Sequence, residues 1–541
     1  MKYSISKLHL DNIPFDSHFD KIILNNDVCE TRKEFFDKPG QEHYRLLSYL
    51  STLFDNSIII DIGTHKGSSA AALSFNKTNQ IYTFDIVNKI ENPNIKNISN
   101  IHFQYDNLFE EEGQDKWKNI ILKAPFIFLD VDPHNGTMEW GFYQFLVKNN
   151  YQGFVVCDDV WYFKEMRNHF WYKISYEQRY DMTHLGHWSG TAIFTLNPNI
   201  QFEKRDNSNW TLVTAYFNLA KCPDASKEIK ERDQYYYLSH SNSTLTLPYN
   251  LIIYTDEDSL PLIQKIRPSY LEDKTKYVIW DFEKISFQKE GKTLPETFSD
   301  YRNKINKNRQ DKPYHFDNRN TASYYLFCMS RYGMLKDTIQ KNPFDSSHFA
   351  WINICIERMG YKNLIHLDEA LSIKRNKFST VYIDYIPYSL IQNVHEYFRF
   401  GRCSMCSGFF TGDAKHMYEV CDKIEDKFLQ FLEMGYGHAD EQLYSPVYFE
   451  NKDLFEQYYG DYQEMISNYV YAYDKPGKIL KCFITRSYEH GNFEKCREAC
   501  LFVAKTVFDG KVNLDANDWN FMKHYYSMSS FQLSFTNYNK D

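Results

Sequence analysis

Residues 126–136 are Phe126-Ile-Phe-Leu-Asp-Val-Asp-Pro-His-Asn-Gly136, an apolar run that ends in acids and a turn. A run of the same kind, Gly153-Phe-Val-Val-Cys-Asp-Asp159, follows farther along the chain. Continuous runs of Phe, Ile, Leu and Val are typical of strands buried on both faces of a sheet, and acids at their carboxyl ends lie where open α/β sheets bind ligands. The two runs therefore predict an α/β fold with acids that converge on one crevice.

Three of these acids form a candidate metal site. Asp130 follows the first run, and Asp158 and Asp159 follow the second. Carboxylate oxygens suit a divalent cation such as Mg²⁺ or Mn²⁺, which would keep coordination positions open for a hydroxyl-bearing substrate. The alternative is that each acid caps a helix or is solvated at a strand end. The match between the two strand ends favours the metal site.

The turn after an upstream strand indicates the cofactor. The strand Ile58-Ile-Ile-Asp-Ile-Gly63 is followed by a turn that contains Gly67 and by a helix of small residues. Both glycines allow the backbone to approach a nucleoside closely. Asp85, at the end of the next strand, is placed to accept hydrogen bonds from ribose hydroxyls. A dinucleotide is disfavoured, because the turn lacks the G-x-G-x-x-G spacing.

Together, these elements resemble the class I S-adenosylmethionine-dependent methyltransferases over roughly residues 30 to 200. The stretch Asp61-Ile-Gly63-Thr-His-Lys-Gly67 stands where that family has its first motif, and Asp85 stands where it has its ribose-binding acid. The resemblance implies a Rossmann-like fold in which these residues bind S-adenosylmethionine.

The acids are most similar to those of the cation-dependent O-methyltransferases, which include catechol and caffeoyl types and sugar-modifying types. In that family an Asp after one strand and an Asp-Asp or Asp-Asn pair after the next hold the metal, which implies this role for Asp130, Asp158 and Asp159. Phenol-directed members usually carry a lysine base three residues after the first acid, where this chain has Pro133. The sugar-directed Asp-x-Asp pattern is satisfied by Asp132, so the resemblance favours a sugar hydroxyl as the methyl acceptor.

Two residues are candidates for the catalytic base. A sugar hydroxyl is a poor nucleophile because its pKa is far above neutral, so proton removal by a nearby base would help. Asp132 matches the sugar-type pattern, whereas His134 has the better intrinsic pKa, and the sequence does not decide between them. The alternative for His134 is a hydrogen bond that only orients a ligand. Trp161 and Trp188 are candidates for the floor of the acceptor pocket, with core positions as the alternative.

Length and composition limit the class of protein. A chain of 541 residues exceeds what one hydrophobic core usually supports, so two or three domains are expected. The net charge of −9 argues against a nucleic-acid partner. The sequence has no apolar run of about eighteen residues and no signal-peptide pattern, and its eleven cysteines are scattered, as is typical of a reducing compartment. We therefore expect a cytoplasmic protein without a membrane span, and the sequence leaves open whether it forms a homo-oligomer.

A second α/β region follows polar, turn-forming residues at about 197–212. Residues 210–217 predict a strand, residues 226–237 a charged helix, and residues 249–256 a further strand closed by Asp256. After about residue 477, apolar residues recur near helical spacing, which predicts a helical C-terminal segment.

This second region resembles the HtrL/YibB family of glycosyltransferase-like proteins, found in operons for surface polysaccharides. The resemblance covers about residues 211 to 480 and is carried by ordered blocks, namely 212–217, 248–256 with Arg267, 342–344, 349–353, 407–412, 438–442 and 458–462. It implies a GT-A-like fold that binds a sugar nucleotide at the carboxyl ends of the strands, with a cation commonly bridging the diphosphate.

The second region departs from this family at one position. Relatives usually have Asp where this chain has Asn353, and an amide is a poorer cation ligand than a carboxylate. The resemblance still implies that Asp256 contacts the nucleotide and that Asp440 or Glu441 binds or deprotonates the acceptor hydroxyl. The alternative for Asp440 and Glu441 is the N-terminal turn of the following segment.

The sequence thus predicts a methyltransferase domain at 1–205, a glycosyltransferase-type domain at 210–480 and a helical C-terminal extension at 481–541. The expected function is that of a bifunctional enzyme of polysaccharide biosynthesis. Its first domain would methylate a sugar, nucleotide sugar or glycan with S-adenosylmethionine and Mg²⁺ or Mn²⁺, and its second would transfer or bind a sugar. One rival is a small-molecule O-methyltransferase that acts on a phenol. Another is a methyltransferase with a non-catalytic glycan-binding module, which Asn353 favours.

Overall fold

A computed structural model describes residues 2–22, 35, 40–183, 185–187, 189–202, 209–284, 287, 297–312, 318–359, 366–399, 403–470, 478–508 and 514–538. The chain divides into two compact units, Met1–Arg205 and Asp206–Asp541. The polar segment 203–208 and Trp188 lie outside the described residues.

The first unit alternates strands and helices. Its strands are β1 (Lys2–Tyr3), β2 (Ile58–Ile62), β3 (Gln80–Phe84), β4 (Ile101–Gln104), β5 (Phe126–Leu129), β6 (Phe154–Cys157), β7 (Arg179–Asp181), β8 (Ala192–Thr195) and β9 (Gln201–Phe202). Its described helices are α1 (Lys7–Asp11), α2 (Phe15–Phe19), α3 (Gly40–Ser51), α4 (Ser68–Leu73), α5 (Pro93–Lys96), α6 (Glu111–Ile121), α7 (Thr137–Lys148) and α8 (Lys164–His169).

The described strands of the first unit form one large sheet in the order β4-β3-β2-β5-β6-β8-β7. Strands β2 to β6 run parallel, whereas β8 is antiparallel to both of its neighbours, β6 and β7. Strands β1 and β9 pair separately. The direction of β8 matters for the site, because an antiparallel strand begins at the edge where its parallel neighbours end.

The apolar runs are explained by burial on both faces of this sheet. Phe126 and Phe128 pack into a cluster on one face, while Ile127 and Leu129 pack into a cluster on the other face. All four side chains are at most 1% exposed. A strand covered by helices on both sides has no solvent face, so it needs no polar residue at alternate positions.

The second unit also alternates strands and helices. Its strands are β10 (Trp210–Tyr216), β11 (Asn250–Thr255), β12 (Thr275–Ile279), β13 (His348–Ile352), β14 (Ser379–Tyr382), β15 (Met405–Asp413) and β16 (Tyr458–Tyr459). Its described helices are α9 (Lys227–Glu231), α10 (Gln234–Leu238), α11 (Asn242–Leu245), α12 (Leu260–Ile266), α13 (Phe298–Asp311), α14 (Ala322–Lys341), α15 (Leu367–Ser372), α16 (Tyr388–Gln392), α17 (Val394–Arg399), α18 (Ala414–Glu433), α19 (Tyr444–Glu450), α20 (Met465–Tyr469), α21 (Lys478–Glu489), α22 (Phe493–Phe508) and α23 (Ala516–Tyr538).

The described strands of the second unit form a mixed sheet in the order β12-β11-β10-β13-β15-β14-β16. Strands β10 to β13 are parallel, and β15 is antiparallel to β13 and β14. The last helices belong to this unit, because Phe483, Ala499 and Met522 lie in the cluster that covers one face of the sheet. Among the described residues, no helix is both long and apolar enough to cross a membrane.

The predicted fold class is confirmed. The first unit is a Rossmann-like α/β domain with the sheet expected of a class I methyltransferase, and the second is a GT-A-like α/β domain that ends in helices. In both units the parallel strands end at one edge, which is where an open α/β sheet binds ligands.

Candidate functional site

Strand register aligns the predicted site residues of the first unit along one edge. Ile62 at the end of β2 pairs with Phe84 of β3 and with Leu129 of β5, and Leu129 in turn pairs with Cys157 of β6. The residue that follows each of these strands therefore lies at the same level. These residues are Gly63, Asp85, Asp130 and Asp158.

The acids at this edge converge with two histidines. Ligand atoms of Asp130, His134 and Asp159 all lie within 4.8 Å of one another, and so do those of Asp158, Asp159 and His187. Asp159 belongs to both groups. Carboxylate oxygens together with an imidazole nitrogen suit a divalent cation such as Mn²⁺ or Mg²⁺, so the donor set fits the expected ion. We call these five residues the acidic site.

Burial and mutual repulsion disturb the carboxyl groups of the acidic site. Burial raises the pKa of Asp130 well above its usual range, and the charges of Asp158 and Asp159 raise it further. Burial and Asp158 also raise the pKa of Asp159. Like charges that are held together out of water disfavour ionisation. A bound cation would relieve this repulsion. The charge of the site therefore fits a divalent cation, as its donor atoms do.

Asp158 differs from its neighbours because it lies between two histidines. Its carboxylate is 3.4 Å from Nδ1 of His187 and 4.0 Å from Nδ1 of His43, and it accepts a hydrogen bond from Oγ1 of Thr191 at 3.3 Å. Burial raises the pKa of Asp158, but His43 and His187 lower it more, so the net shift is downward. Burial lowers the pKa of His43 to about 4. Asp158 is thus the carboxyl group of the acidic site whose ionised form its neighbours favour.

The two candidate bases lie in different surroundings. The Asp132 side chain is 90% exposed, whereas that of His134 is 14% exposed. Nε2 of His134 is 3.3 Å from Asp132 and 3.4 Å from Asp159, and its ring stacks on Phe163 at 5.0 Å. His134 therefore faces the acidic site from a fixed ring orientation, while Asp132 reaches it only from the solvent side.

The glycines of the predicted cofactor turn have a packing role. Gly63 has φ +104°, and a Cβ placed on it would lie 1.7 Å from the carbonyl oxygen of Asp130. Gly67 has φ +87°, and its Cβ would lie 2.8 Å from a methyl carbon of Ile95. The absence of a side chain at Gly63 thus lets the turn after β2 lie directly against the end of β5.

The two acids of the predicted cofactor site have different partners. Asp61 is fully buried and accepts a hydrogen bond from Oγ1 of Thr83 at 2.5 Å, and burial raises its pKa to about 7. Asp85 accepts hydrogen bonds from the backbone N–H groups of His65 and Val87 at 2.8 and 3.1 Å. Asp85 is partly exposed at the edge, where its remaining lone pairs can accept hydrogen bonds from a ligand.

Sequence reasoning missed His187 and His43. His187 precedes β8, and because β8 is antiparallel to β6, the residues before it return to the edge where Asp158 lies. The pattern His-x-Ser-x-Thr at 187–191 was the available signal, since Ser189 and Thr191 both hydrogen-bond within this network. His43 comes from α3, far away in sequence, and no local pattern marks it.

In the second unit, Asp440 and Glu441 lie in a short 3-10 turn, Asp440–Leu443. Asp440 is 7% exposed and pairs at 3.5 Å with the buried guanidinium of Arg331. Glu441 accepts hydrogen bonds from the N–H and the hydroxyl of Ser407, both at 3.0 Å. Burial and Asp440 raise the pKa of Glu441. The pair thus lies in a turn at the start of the following helical segment, which is the alternative position given for these two acids above. Both carboxyl groups also have protein partners.

Asp256 and Asn353 follow strands β11 and β13 and lie at the carboxyl edge of the second sheet. The two carboxylate oxygens of Asp256 accept the backbone N–H groups of Asn218 and Ser259 at 2.9 and 2.8 Å. The side-chain oxygen of Asn353 accepts the ring N–H of Trp351 at 3.0 Å. These hydrogen bonds hold the loops at this edge in place.

Comparison with solved structures finds several to which the chain is similar. A putative caffeoyl-CoA O-methyltransferase from Staphylococcus aureus is 16% identical and covers 28% of this chain and 81% of its own, with a TM-score of 0.21. A fibrillarin/Nop5p complex is 11% identical and covers 26% of this chain and 71% of its own, with a TM-score of 0.18. Mouse xyloside xylosyltransferase 1 is 10% identical and covers 46% of this chain and 84% of its own, with a TM-score of 0.25.

Comparison of sequences gives a match to a family model within the second unit. No curated protein matches the chain. A family model does match it, and this confirms the resemblance that the ordered blocks of the second region indicated. Residues 208–470 match the HtrL_YibB family, which is described as a bacterial protein of unknown function.

Proposed function

We propose that the chain is a glycan-tailoring transferase with two parts. The first unit transfers a methyl group to a sugar hydroxyl in the presence of a divalent cation, and the second unit binds a sugar nucleotide, the substrate class of a glycosyltransferase. S-adenosylmethionine would supply the methyl group, and the cation would polarise the acceptor hydroxyl so that it loses its proton more easily. The alternative acceptor is a phenol on a small molecule.

The observation that carries this proposal is the acidic site. Asp130, Asp158 and Asp159 follow two adjacent parallel strands. Two histidines lie beside them: His134, which follows β5, and His187, which precedes β8. The same edge holds Asp85 two strands away, after β3. A donor site and a cation site at one edge would place the methyl group next to the acceptor hydroxyl, which is the positioning that group transfer requires.

The residues of the first unit have separate roles in this proposal. Asp85 would accept hydrogen bonds from the ribose of S-adenosylmethionine, and the turn at Gly63 would lie beside the nucleoside. Asp130, Asp158 and Asp159 would hold the cation. His134 is the preferred base, because its ring is held by Phe163 with Nε2 directed at the acidic site. Asp132, being exposed, would assist in proton release to solvent.

A preference for sugars over phenols rests on the same loop. Pro133 stands between the two candidate bases and has no ionisable side chain. The bases available beside the acidic site are therefore an imidazole and a carboxylate. Phenol-directed cation-dependent O-methyltransferases usually carry a lysine base at the position of Pro133, and its absence here favours a sugar hydroxyl that the cation has polarised.

The test is methyl transfer by the full-length chain. The protein would be incubated with S-adenosylmethionine, MgCl₂ and a panel of nucleotide sugars, short glycans and catechols, and the products would be analysed by mass spectrometry. We expect one added methyl group on a sugar, lost on addition of EDTA and lost in Asp158→Asn. The matched control is Asp115→Asn, which removes an exposed carboxylate on α6 and should leave the transfer unchanged.

Three outcomes of this test would contradict the proposal. Methylation that survives EDTA would remove the cation from the function, and methylation of catechols alone would replace the sugar by a phenol. A product that forms equally well in Asp158→Asn would show that the acidic site is not where the reaction occurs.

A further inference from the structure

Two arginine side chains of the second unit lie against the same pair of tyrosines. The guanidinium of Arg358 is 5.1 Å from the ring centre of Tyr236 and 5.7 Å from that of Tyr237. The guanidinium of Arg232 is 5.5 Å from the ring centre of Tyr236. Within the described part of the chain, neither arginine forms an ion pair, and the buried Nη1 of Arg232 has no hydrogen-bond partner. Both guanidinium groups thus contact aromatic rings rather than carboxylates.

The same two arginines act on the Tyr237 hydroxyl. Burial and the Cys355 thiol raise the pKa of Tyr237, and Arg358 and Arg232 oppose that rise. We call Arg232 and Arg358 the arginine cluster.

The arginine cluster lies at the ligand-binding edge of the second sheet. Arg232 follows α9, in the connection after β10, and Arg358 lies in the 3-10 turn Ile356–Met359 directly after β13. Strands β10 and β13 are parallel neighbours, so the connections that follow them begin side by side. The ring of Tyr216, the last residue of β10, lies 6.1 Å from that of Tyr237.

Two acids that the sequence predicted at this edge have protein partners that fix their orientation. Asp256 accepts two backbone N–H groups, and Asp440 pairs with Arg331. The residue after β13 is Asn353, an uncharged amide that accepts the ring N–H of Trp351. A cation bound beside a diphosphate needs carboxylates that are free to coordinate it. The described charges at this edge instead favour an anion held directly by arginines.

We propose that the arginine cluster binds the diphosphate of a nucleoside diphosphate sugar and takes the place of a divalent cation in the second unit. The inference rests on the proposed binding of a sugar nucleotide by that unit. A guanidinium group offers a planar fork of N–H donors that matches two phosphate oxygens, and it remains charged at any physiological pH. The tyrosine rings keep the guanidinium groups in place before the ligand binds.

The test is binding of nucleoside diphosphates to the full-length protein by isothermal titration calorimetry. The probes are UDP, GDP and dTDP, each with MnCl₂ and with EDTA. We expect at least one probe to bind equally well in both conditions. Its dissociation constant should rise about tenfold or more in Arg232→Gln and in Arg358→Gln, because each loses charge-assisted hydrogen bonds. Arg358→Lys should weaken binding less, since it keeps the charge.

The control is Arg497→Gln, which removes one positive charge from α22 and should bind as the wild type does. Thermal unfolding of each variant would establish that it is folded. Binding that needs Mn²⁺ and is unchanged in the arginine variants would overturn the inference and leave the proposed function standing. If none of the three probes binds in either condition, the proposed binding of a sugar nucleotide fails, and the inference fails with it.

Discussion

Nδ1 of His187 lies 3.4 Å from Oδ2 of Asp158. The two residues meet where the parallel strand β6 borders the antiparallel strand β8. The contact adds a nitrogen donor to a site that the sequence described only by its acids. Oγ of Ser189 lies 2.6 Å from the same Nδ1, so the ring is oriented by a residue of its own loop. The loop before β8 is therefore part of the acidic site.

Replacement of His187 tests whether this loop contributes to cation binding. We expect His187→Ala to raise the dissociation constant for Mn²⁺ about tenfold or more, the usual loss when a ligand or its orienting partner is removed. Electron paramagnetic resonance of free Mn²⁺ during titration would measure it. The control is His102→Ala, on β4 at the far end of the sheet, which should bind Mn²⁺ as the wild type does. Equal affinities for both variants would exclude His187 from the site.

Repulsion among the acids predicts a conflict between stability and function at Asp130. Because burial and the neighbouring carboxylates disfavour its charge, we expect Asp130→Asn to raise the free energy of unfolding of the cation-free protein by about 1 kcal/mol or more. Thermal unfolding in EDTA should show a melting point about 2–4 °C higher. Added MgCl₂ should stabilise the wild type but not the variant. A lower melting point in EDTA would contradict the proposed repulsion.

The sequence predicted those features that local pattern and strand direction determine together. The runs at 126–129 and 154–157 are apolar throughout because both faces of the sheet are covered, and this made them recognisable as buried strands. Parallel register then brings the residues after them, Asp130 and Asp158, to one level. The common level of these two residues does not depend on their side-chain contacts.

The features that the sequence did not predict depend on contacts between distant segments. The position of His187 beside Asp158 follows from the direction of β8. The composition of a four-residue strand does not determine that direction. The exposure of the Asp132 side chain depends on how a turn projects from the sheet, which the position of Asp132 two residues after Asp130 does not determine. The hydrogen bond between Asn353 and Trp351 depends on one side-chain orientation, which no pattern of residue types specifies.

A buried histidine should make the second unit sensitive to acid. Burial, together with the charges of Arg309 and Lys312, lowers the pKa of His438 to about 3, whereas the unfolded value is about 6.5. Between these values the unfolded state binds more protons, so the free energy of unfolding decreases as the pH falls, by up to about 1.4 kcal/mol per pH unit. His438→Gln should flatten this dependence. Urea unfolding of the full chain from pH 7 to pH 5 would measure it.

The exposed His395 provides the comparison for this effect. His395→Gln should leave the slope of stability against pH unchanged, because the His395 side chain is exposed to water in the folded protein as it is in the unfolded chain. The loop at His438 leads directly into Asp440 and Glu441, so protonation of its ring should loosen the turn that carries these acids. An unchanged slope in His438→Gln would mean that other groups cause the sensitivity to acid.

The close approach of two strand ends makes Gly63 the most sensitive glycine of the first unit. In Gly63→Ala the added methyl group would meet the carbonyl oxygen of Asp130 at 1.7 Å, at a φ of +104° that alanine rarely adopts. We expect a loss of more than about 2 kcal/mol in the free energy of unfolding. Gly141→Ala is the control: it lies within α7 with nothing within 4 Å of the new methyl group, and it should stabilise that helix by about 0.5–1 kcal/mol. Thermal unfolding of both variants would measure this contrast, and equal melting points would contradict it.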